Sequence, residues 1–171
     1  MTAYPPALAA YEAEAAAFAA AASADALAKL APSFYFVPRE ALLSSKEKTL
    51  PRWQALQKRG TLVKLKVDIA DAFRNGVEDK LFVSHRWEEP TQPDTHGEQL
   101  RVMREHLTAN PAITHVWYDY YCMPQKDEEG YDDRTPTEKT EFDFMLQSIA
   151  DLYLTTKVLI ILDVSYISRF W

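Results

Sequence analysis

The chain has 171 residues, of which 47% are hydrophobic and 12% aromatic, with a formal net charge of -6 at pH 7 and a single cysteine, Cys122. This length and composition predict a globular protein with one domain and an appendage, and they argue against two full domains. The negative charge argues against a nucleic-acid partner held by bulk electrostatics, while the lone cysteine excludes an intramolecular disulfide and a multi-cysteine metal site.

The first sixty residues are interpreted as a helical arm followed by a connector. Residues 7–30 are rich in alanine, which favours a helix, and Pro32 follows them. The acidic residues there argue against a signal or transit peptide, and no apolar run approaches the roughly 20 residues that cross a bilayer. We therefore expect a cytoplasmic protein without a membrane partner, with a packing or oligomerising arm and connector at 1–60 and an α/β domain at 61–171.

The period of the apolar residues changes at residue 61. Apolar and charged side chains alternate over 63–69, which predicts an edge strand with one solvated face. The predicted elements after it are continuously apolar strands at 80–84, 115–120 and 157–162, a helix at 97–109 and a helix that Thr137 can cap and that reaches Tyr153. This order predicts a parallel, doubly wound sheet in a three-layer, flavodoxin-like α/β fold.

A polar cluster, Ser84-His85-Arg86-Trp87, follows the first continuously apolar strand. In open α/β sheets, ligands bind outside the carboxyl ends of the strands. A guanidinium can hold a phosphate bidentately and an indole can stack on a base, so the cluster suits a nucleotide or dinucleotide. The alternative is that Arg86 makes a structural ion pair and Trp87 closes the end of the sheet, and the sequence leaves both interpretations open.

Asp119 lies at the end of the second continuously apolar strand and would approach this cluster if the two strands are neighbours. Its carboxylate could accept a hydrogen bond from a ribose hydroxyl, or it could pair with Arg86. Cys122 is disfavoured as a nucleophile because no base or electropositive pocket is evident near it. The four histidines lack the spacing of a helical zinc pair, so no metal site is expected.

Taken together, these segments resemble Toll/interleukin-1 receptor (TIR) domains. Phe82-Val83-Ser84-His85-Arg86 resembles the family's first strand, F-I-S-[FYH]-R, and Val116-Trp117-Tyr118-Asp119 resembles its second strand. The first and second helices of the family resemble 98–107 and 142–150. The stretch 158–171 looks like the third strand and the following S-x-x-Y-x-x-S-x-W-C-x-x-E segment, and the Cys-x-Pro-Gln loop at 122–125 is closer to divergent, heterokaryon-incompatibility-like members.

The resemblance implies a pocket for an NAD-type nucleotide, with NAD as a possible substrate and no separate cofactor. The residues expected to line it are Ser84, His85, Arg86, Trp87, Asp119, Ser165 and Tyr166. Many TIR domains cleave NAD at the nicotinamide glycosidic bond with a glutamate in the W-C-x-x-E segment, and that position would lie beyond Trp171. We therefore expect a signalling or defence protein whose complete form is a possible NAD nucleosidase, while residues 1–171 alone are expected to be inactive.

Two alternatives from the sequence stay open beside the nucleotide-binding enzyme. The first is a non-catalytic interaction module that signals by TIR-type self-association, with the acidic loop 126–134 and the alanine-rich helix as contact surfaces. The second is a flavodoxin-like nucleotide binder unrelated to TIR domains.

Overall fold

The structure is a computed structural model that describes residues 32–49 and 51–162, apart from the side chain of Asn75. The chain divides into two units, Met1–Ala31 and Pro32–Trp171, and the described residues belong to the second. The helix predicted at 7–30 lies outside the described residues. None of the described helices is both long enough and apolar enough to span a membrane.

A mixed sheet of five strands organises the described part of the chain, in the order β2-β1-β4-β3-β5. The strands are β1 (Ser33–Pro38), β2 (Val63–Lys66), β3 (Lys80–Ser84), β4 (His115–Trp117) and β5 (Lys157–Ile160). Strand β3 runs parallel to both of its neighbours, with Leu81 opposite Val116 in β4 and Val83 opposite Leu159 in β5. The predicted α/β fold with parallel strands is therefore confirmed for β3, β4 and β5.

The interpretation of 31–60 as a connector is wrong, because β1 lies inside the sheet. It pairs antiparallel with β2, where Phe34 faces Leu65, and antiparallel with β4, where Val37 faces Val116. Its four central residues are buried, as expected of a continuous apolar run between two neighbouring strands. Pro32 precedes the strand and Pro38 ends it, so neither proline removes a hydrogen bond from the middle of the ladder. The sheet is consequently mixed rather than wholly parallel.

The alternating segment forms the predicted edge strand, since β2 lies at one end of the strand order. It is shorter than the predicted range and ends at Lys66. A helix that was not predicted, α3, begins at Ile69, and the carboxylate of Asp68 caps it by accepting a hydrogen bond from the backbone N–H of Asp71 at 3.1 Å.

Helices flank the sheet. Their bounds are α1 (Arg39–Ser44), α2 (Trp53–Lys58), α3 (Ile69–Asn75), α4 (Glu98–Ala109), α5 (Asp119–Cys122), α6 (Pro136–Gln147) and α7 (Ile149–Thr155). The predicted apolar face of α4 is buried through Leu100, Met103 and Leu107. The long helix predicted to end at Tyr153 is instead two helices, α6 and α7, with Ser148 between them.

Thr135, rather than the predicted Thr137, caps helix α6. The backbone N–H of Glu138 donates to Thr135 Oγ1 at 3.2 Å, and the backbone N–H of Thr135 donates to the Glu138 carboxylate at 2.6 Å. This reciprocal pair requires a spacing of three residues, which Thr135 and Glu138 have and Thr137 and Glu138 lack. Pro136 then occupies the first helical turn, where its missing N–H costs no hydrogen bond.

Stacked aromatic rings connect the middle of the sheet to helix α7. Phe82 of β3 lies parallel to Trp117 of β4, with ring centroids 4.7 Å apart. The centroid of the Tyr153 ring in α7 lies 4.1 Å from that of Phe82. Trp117 and Val116 are fully buried. The ends of β3 and β4 are therefore anchored by large apolar groups, which gives the loops that follow them a rigid base.

Candidate functional site

His85, Trp87 and Asp119 meet where β3 and β4 end. His85 Nε2 lies 3.2 Å from Asp119 Oδ1, and Trp87 Nε1 donates to Asp119 Oδ2 at 2.8 Å. Parallel neighbouring strands place their carboxyl ends at the same edge of a sheet. The predicted approach of Asp119 to the polar cluster after β3 is therefore confirmed.

Asp119 begins helix α5 rather than ending a strand, because β4 stops at Trp117 and Tyr118 is an extended residue outside it. Besides the contacts of His85 and Trp87, the backbone N–H of Tyr120 donates to Asp119 Oδ1 at 2.6 Å. Burial alone would raise the pKa of the Asp119 carboxyl, but the charge and hydrogen bond of His85 and the donors Trp87 and Tyr120 outweigh it and lower that pKa. Asp119 is therefore held as a carboxylate.

His85 lies behind this carboxylate, in the interior of the protein. Its side chain is only 3% exposed, and its ring stacks on Tyr118 with centroids 3.9 Å apart and an interplanar angle of 16°. The second ring nitrogen, Nδ1, lies 3.3 Å from the carbonyl oxygen of Val83. His85 was expected to line a nucleotide pocket directly, and its burial places it one layer further in.

Ser84 and Arg86 take part in the backbone framework at the end of β3. The carbonyl oxygen of Ser84 accepts a hydrogen bond from Ile161 N at 2.8 Å, and Arg86 Nη1 donates to the carbonyl oxygen of Trp87 at 2.9 Å. Among the described contacts, His85 rather than Arg86 faces the carboxylate of Asp119. Ser165 and Tyr166, the two other expected pocket residues, lie outside the described residues.

A cavity of about 530 Å³ opens beside Trp87 and Asp119. Its walls come from the loop after β3, from the segment that follows β4, and from helices α6 and α7. The side chains with evident binding chemistry are the aromatic groups Trp87, Tyr120 and Phe142, the carboxylates Asp119 and Asp127, and the cations Lys126 and Arg134. The side chain of Asp119 is 30% exposed, so a ligand in this cavity could reach its carboxylate.

Arg134 is held in place on the far wall of the cavity. Its Nε and Nη2 atoms lie 2.8 and 3.2 Å from the two carboxylate oxygens of Asp132, and its guanidinium carbon lies 4.5 Å from the centre of the Phe142 ring. The side chain is only 11% exposed. A bidentate ion pair together with stacking on an aromatic ring restricts the rotamers of an arginine, so this cation is fixed before any ligand arrives.

The segment after α5 is tied back to the start of that helix. Gln125 Nε2 donates to the carbonyl oxygens of Asp119 at 3.0 Å and Met123 at 2.8 Å, and Gln54 Nε2 donates to the Gln125 carbonyl at 2.5 Å. The glutamine of the Cys-x-Pro-Gln loop therefore stabilises the backbone that carries Asp119. Gln125 does so from a largely buried position, and it also contributes to the cavity wall.

Asp94 and Gln99 support the other side of the site. The buried carboxylate of Asp94 accepts hydrogen bonds from the backbone N–H groups of Gln99 at 3.1 Å and Leu100 at 2.9 Å, which caps helix α4 from the preceding loop. Gln99 Nε2 donates to the carbonyl oxygens of Arg86 and Pro93, and Gln99 Oε1 accepts from Tyr118 Oη at 2.7 Å. The loop after β3 is therefore attached to α4.

Cys122 is buried in the core of the domain, which agrees with the argument against a nucleophilic role. Burial raises the pKa of its thiol well above the ordinary value, and its Sγ donates weakly to the carbonyl oxygen of Val116 at 3.7 Å. A thiol is nucleophilic only as the thiolate, so this cysteine is unreactive in the folded domain.

Tyr120, Phe142 and Arg134 contribute to the cavity, although sequence reasoning did not select them. Phe142 could be identified only as a member of an apolar helix face, and Arg134 only as one charge in an acidic loop. In the described part of the chain, no cluster of three or more His, Cys, Asp or Glu side chains is arranged to hold a metal ion.

Comparisons of the chain with protein-family models, with curated proteins and with solved structures each found no match.

Proposed function

We propose that this chain is a TIR-like, flavodoxin-like domain that binds an NAD-type nucleotide in the cavity beside Trp87 and Asp119. One observation carries the proposal. A single cavity at the carboxyl ends of β3 and β4 brings together aromatic rings, an ionised carboxylate and two cations. Open α/β sheets bind ligands at this edge.

Each chemical part of a dinucleotide has a matching group in the cavity wall. The rings of Trp87, Tyr120 and Phe142 suit a base or a nicotinamide ring, and Asp119 suits a ribose hydroxyl. Lys126 and Arg134 suit the phosphates. The volume of about 530 Å³ falls within the roughly 300–1,000 Å³ that is usual for small-molecule sites.

The strand order supports the finer fold assignment. The first of the three parallel strands, β3, lies between the second, β4, and the third, β5. In the flavodoxin-like order 2-1-3-4-5, the first strand also lies between the second and the third. The segments of the chain that resemble TIR domains supply these same three strands, so the strand order and the sequence resemblance support one proposal.

Calorimetric titration with NAD⁺ tests the binding proposal. We expect saturable binding by the wild-type chain and a roughly tenfold or greater loss of affinity for Trp87→Ala, since stacking on one aromatic ring contributes about 1–3 kcal/mol. Asp119→Asn should weaken binding as well. The matched controls are Phe73→Ala, which removes an aromatic ring that is 80% exposed on α3, and Glu105→Gln on α4. Equal affinities in Trp87→Ala and Phe73→Ala would contradict the proposed site.

The resemblance to TIR domains extends the proposal to cleavage of the nicotinamide glycosidic bond. Such cleavage develops positive charge on the ribose, which a nearby carboxylate stabilises. Release of free nicotinamide from NAD⁺, followed by chromatography, measures this step separately from binding. A protein that includes the W-C-x-x-E segment, binds NAD⁺ and releases no nicotinamide would retain the binding function and lose the enzymatic one.

Self-association is a second candidate function, and the exposed face of β5 favours it. Among the described strands, β5 lies at the end of the sheet opposite β2, and Val158 and Ile160 of β5 are exposed, as is Leu162 after it. Exposed apolar groups on an edge strand favour contact with another chain. Sedimentation velocity of the wild type and of Ile160→Lys tests this candidate. Concentration-dependent association that the lysine abolishes is expected, and identical monomeric profiles would argue against it.

A further inference from the structure

We propose that His85 is a positioning residue for the nucleotide site: it orients Asp119 and supplies its counter-charge from behind the cavity wall, without touching the ligand. The consequence for ligand affinity rests on the proposed function. The consequence for Asp119 itself does not, because it concerns two residues of the free protein.

The two side chains differ in their access to the cavity. Asp119 lines it and is 30% exposed, whereas the His85 side chain is 3% exposed and does not belong to the cavity wall. A ligand in the cavity can therefore meet the carboxylate directly but can meet the imidazole only through it.

The hydrogen bonds at Asp119 leave a defined acceptor for a ligand. Oδ1 accepts from the backbone N–H of Tyr120 at 2.6 Å and lies 3.2 Å from His85 Nε2. Oδ2 receives Trp87 Nε1 at 2.8 Å. A carboxylate oxygen can accept about two hydrogen bonds, so among the described contacts Oδ2 keeps the capacity for one more. A ribose hydroxyl of the ligand would be the donor there.

Both ring nitrogens of His85 face oxygen acceptors. Nδ1 lies 3.3 Å from the carbonyl oxygen of Val83, and Nε2 lies 3.2 Å from Asp119 Oδ1. A neutral imidazole carries one N–H and can satisfy only one of these acceptors, whereas an imidazolium donates to both. Each ring nitrogen of His85 therefore has an oxygen acceptor beside it, and an imidazolium is the form that could donate to both.

The position of His85 is set by buried neighbours. Its ring stacks on Tyr118, and Tyr118 Oη donates to Gln99 Oε1 at 2.7 Å. Gln99 in turn donates to the carbonyl oxygens of Arg86 at 2.9 Å and Pro93 at 2.6 Å. A ring fixed on one face by stacking and at both nitrogens by acceptors has little rotational freedom, so it can hold a carboxylate in one orientation.

Among the residues that the structure describes, the other ionisable groups around this pair are neutral or already engaged. Burial raises the pKa values of the Tyr118 and Tyr121 phenols and of the Cys122 thiol, which keeps all three uncharged at neutral pH. The Asp94 carboxylate accepts from two backbone N–H groups of α4, and the Glu88 carboxylate accepts from Thr95 N at 2.7 Å and Thr95 Oγ1 at 2.5 Å. The Arg86 guanidinium donates to the Trp87 carbonyl oxygen. Among the described side chains, His85 is therefore the basic group that faces the Asp119 carboxylate.

The first arm of the test uses the ligand-free protein. The indole N–H of Trp87 donates to Asp119 Oδ2, so its NMR chemical shift reports protonation of that carboxyl as the pH falls. The signal is assigned by comparison with Trp87→Phe. In His85→Phe, which keeps a ring against Tyr118 but removes both donors, the midpoint should move upward by roughly 1–3 pH units. The control is Glu105→Gln, which changes an exposed charge on α4 away from this pair and should leave the midpoint unchanged.

The second arm measures affinity for NAD⁺ in the same variants. His85→Phe and Asp119→Asn should each lose roughly tenfold or more, and the double variant should be no weaker than Asp119→Asn alone, because one residue acts through the other. His85→Gln, which keeps an amide donor without the charge, should lie between wild type and His85→Phe in both arms. It also provides a second measurement if His85→Phe does not fold.

The outcomes separate the two proposals. If wild type shows no affinity for NAD⁺, the proposed function fails, and the indole titration still decides whether His85 controls Asp119. An unchanged indole midpoint in both His85 variants would overturn the positioning role. The role would also be overturned if wild type binds NAD⁺, Asp119→Asn does not, and His85→Phe keeps the full affinity of wild type.

Discussion

Replacement of Gly97 by alanine should destabilise the domain more than the same replacement at a second glycine of similar backbone conformation. Gly97 precedes helix α4 with a φ of 80°, in the left-handed region, and a Cβ added there would overlap the backbone carbonyl oxygen of Lys48. Arg104 holds the neighbouring segment in place, because its guanidinium donates to the carbonyl oxygens of Leu42 and Ser45 at 2.9 and 2.6 Å. Arg104 Nη1 also donates to the carbonyl oxygen of Glu47 at 3.2 Å, so movement of the adjacent Lys48 carbonyl would disturb a segment that is held by these bonds.

The size of the effect follows from comparison with Gly60. That glycine has a φ of 66°, but no atom lies within 4 Å of an added Cβ. Gly60→Ala should therefore cost only the left-handed conformation, about 1–2 kcal/mol. Gly97→Ala has the same cost and in addition displaces the Lys48 carbonyl, next to the Glu47 carbonyl that Arg104 binds, so we expect a loss of about 3 kcal/mol or more in the free energy of unfolding.

Urea denaturation of the wild type and the two variants, followed by circular dichroism, measures this difference. In a domain of this size, about 3 kcal/mol corresponds to a decrease in melting temperature of roughly 6–12 °C. Equal losses in Gly97→Ala and Gly60→Ala would refute the reasoning, because they would mean that the Lys48 carbonyl yields without cost.

Four further expectations concern the core, a helix cap, the thiol and the carboxylate. Met103→Ala removes a fully buried side chain and should cost about 2–5 kcal/mol in denaturant unfolding. Thr135→Ala breaks the reciprocal cap of α6 and should cost about 1 kcal/mol, whereas Thr140→Ala on the exposed part of that helix should cost clearly less. Cys122 should react with a thiol reagent only at the rate of unfolding, and rapid labelling in native buffer would contradict its burial. The pKa of Asp119 is lower in the folded state than its ordinary value of 3.8. Ionisation of Asp119 therefore stabilises the fold above about pH 4, and this stabilisation is lost as the pH falls through the pKa of the folded state. The stability difference between wild type and Asp119→Asn should therefore shrink over that acidic range, and a constant difference would argue against the depressed pKa.

Local patterns were sufficient to identify the elements that support the site. The continuous apolar run at Leu81-Phe82-Val83 predicted a buried strand, and the polar residues after it predicted a loop at the edge of the sheet. The same reasoning placed Asp119 near that loop, because parallel neighbouring strands end at one edge. These patterns predicted that Asp119 approaches the cluster, whereas its hydrogen bond with Trp87 at 2.8 Å, in place of an ion pair with Arg86, was not predicted.

Two errors have a common physical origin. Strand β1 was interpreted as a connector because its flanking prolines resemble loop signals, although a proline at a strand end costs no ladder hydrogen bond. His85 was expected to face the cavity because polar side chains after a strand are often exposed. In both cases the deciding contact joins residues that lie far apart in the chain. Strand β1 pairs with β4, and the ring of His85 stacks on that of Tyr118, and no local sequence pattern specifies either contact.

The sequence by itself determined the α/β class, the parallel strands β3, β4 and β5, and the approach of Asp119 to the cluster after β3, because side-chain period and strand direction are local properties of the chain. Only the tertiary structure decided that β1 enters the sheet between β2 and β4, that His85 lies behind Asp119, and that Phe142 and Arg134 complete the cavity. Those features depend on which distant segments pack together, and no periodicity within one segment specifies that choice.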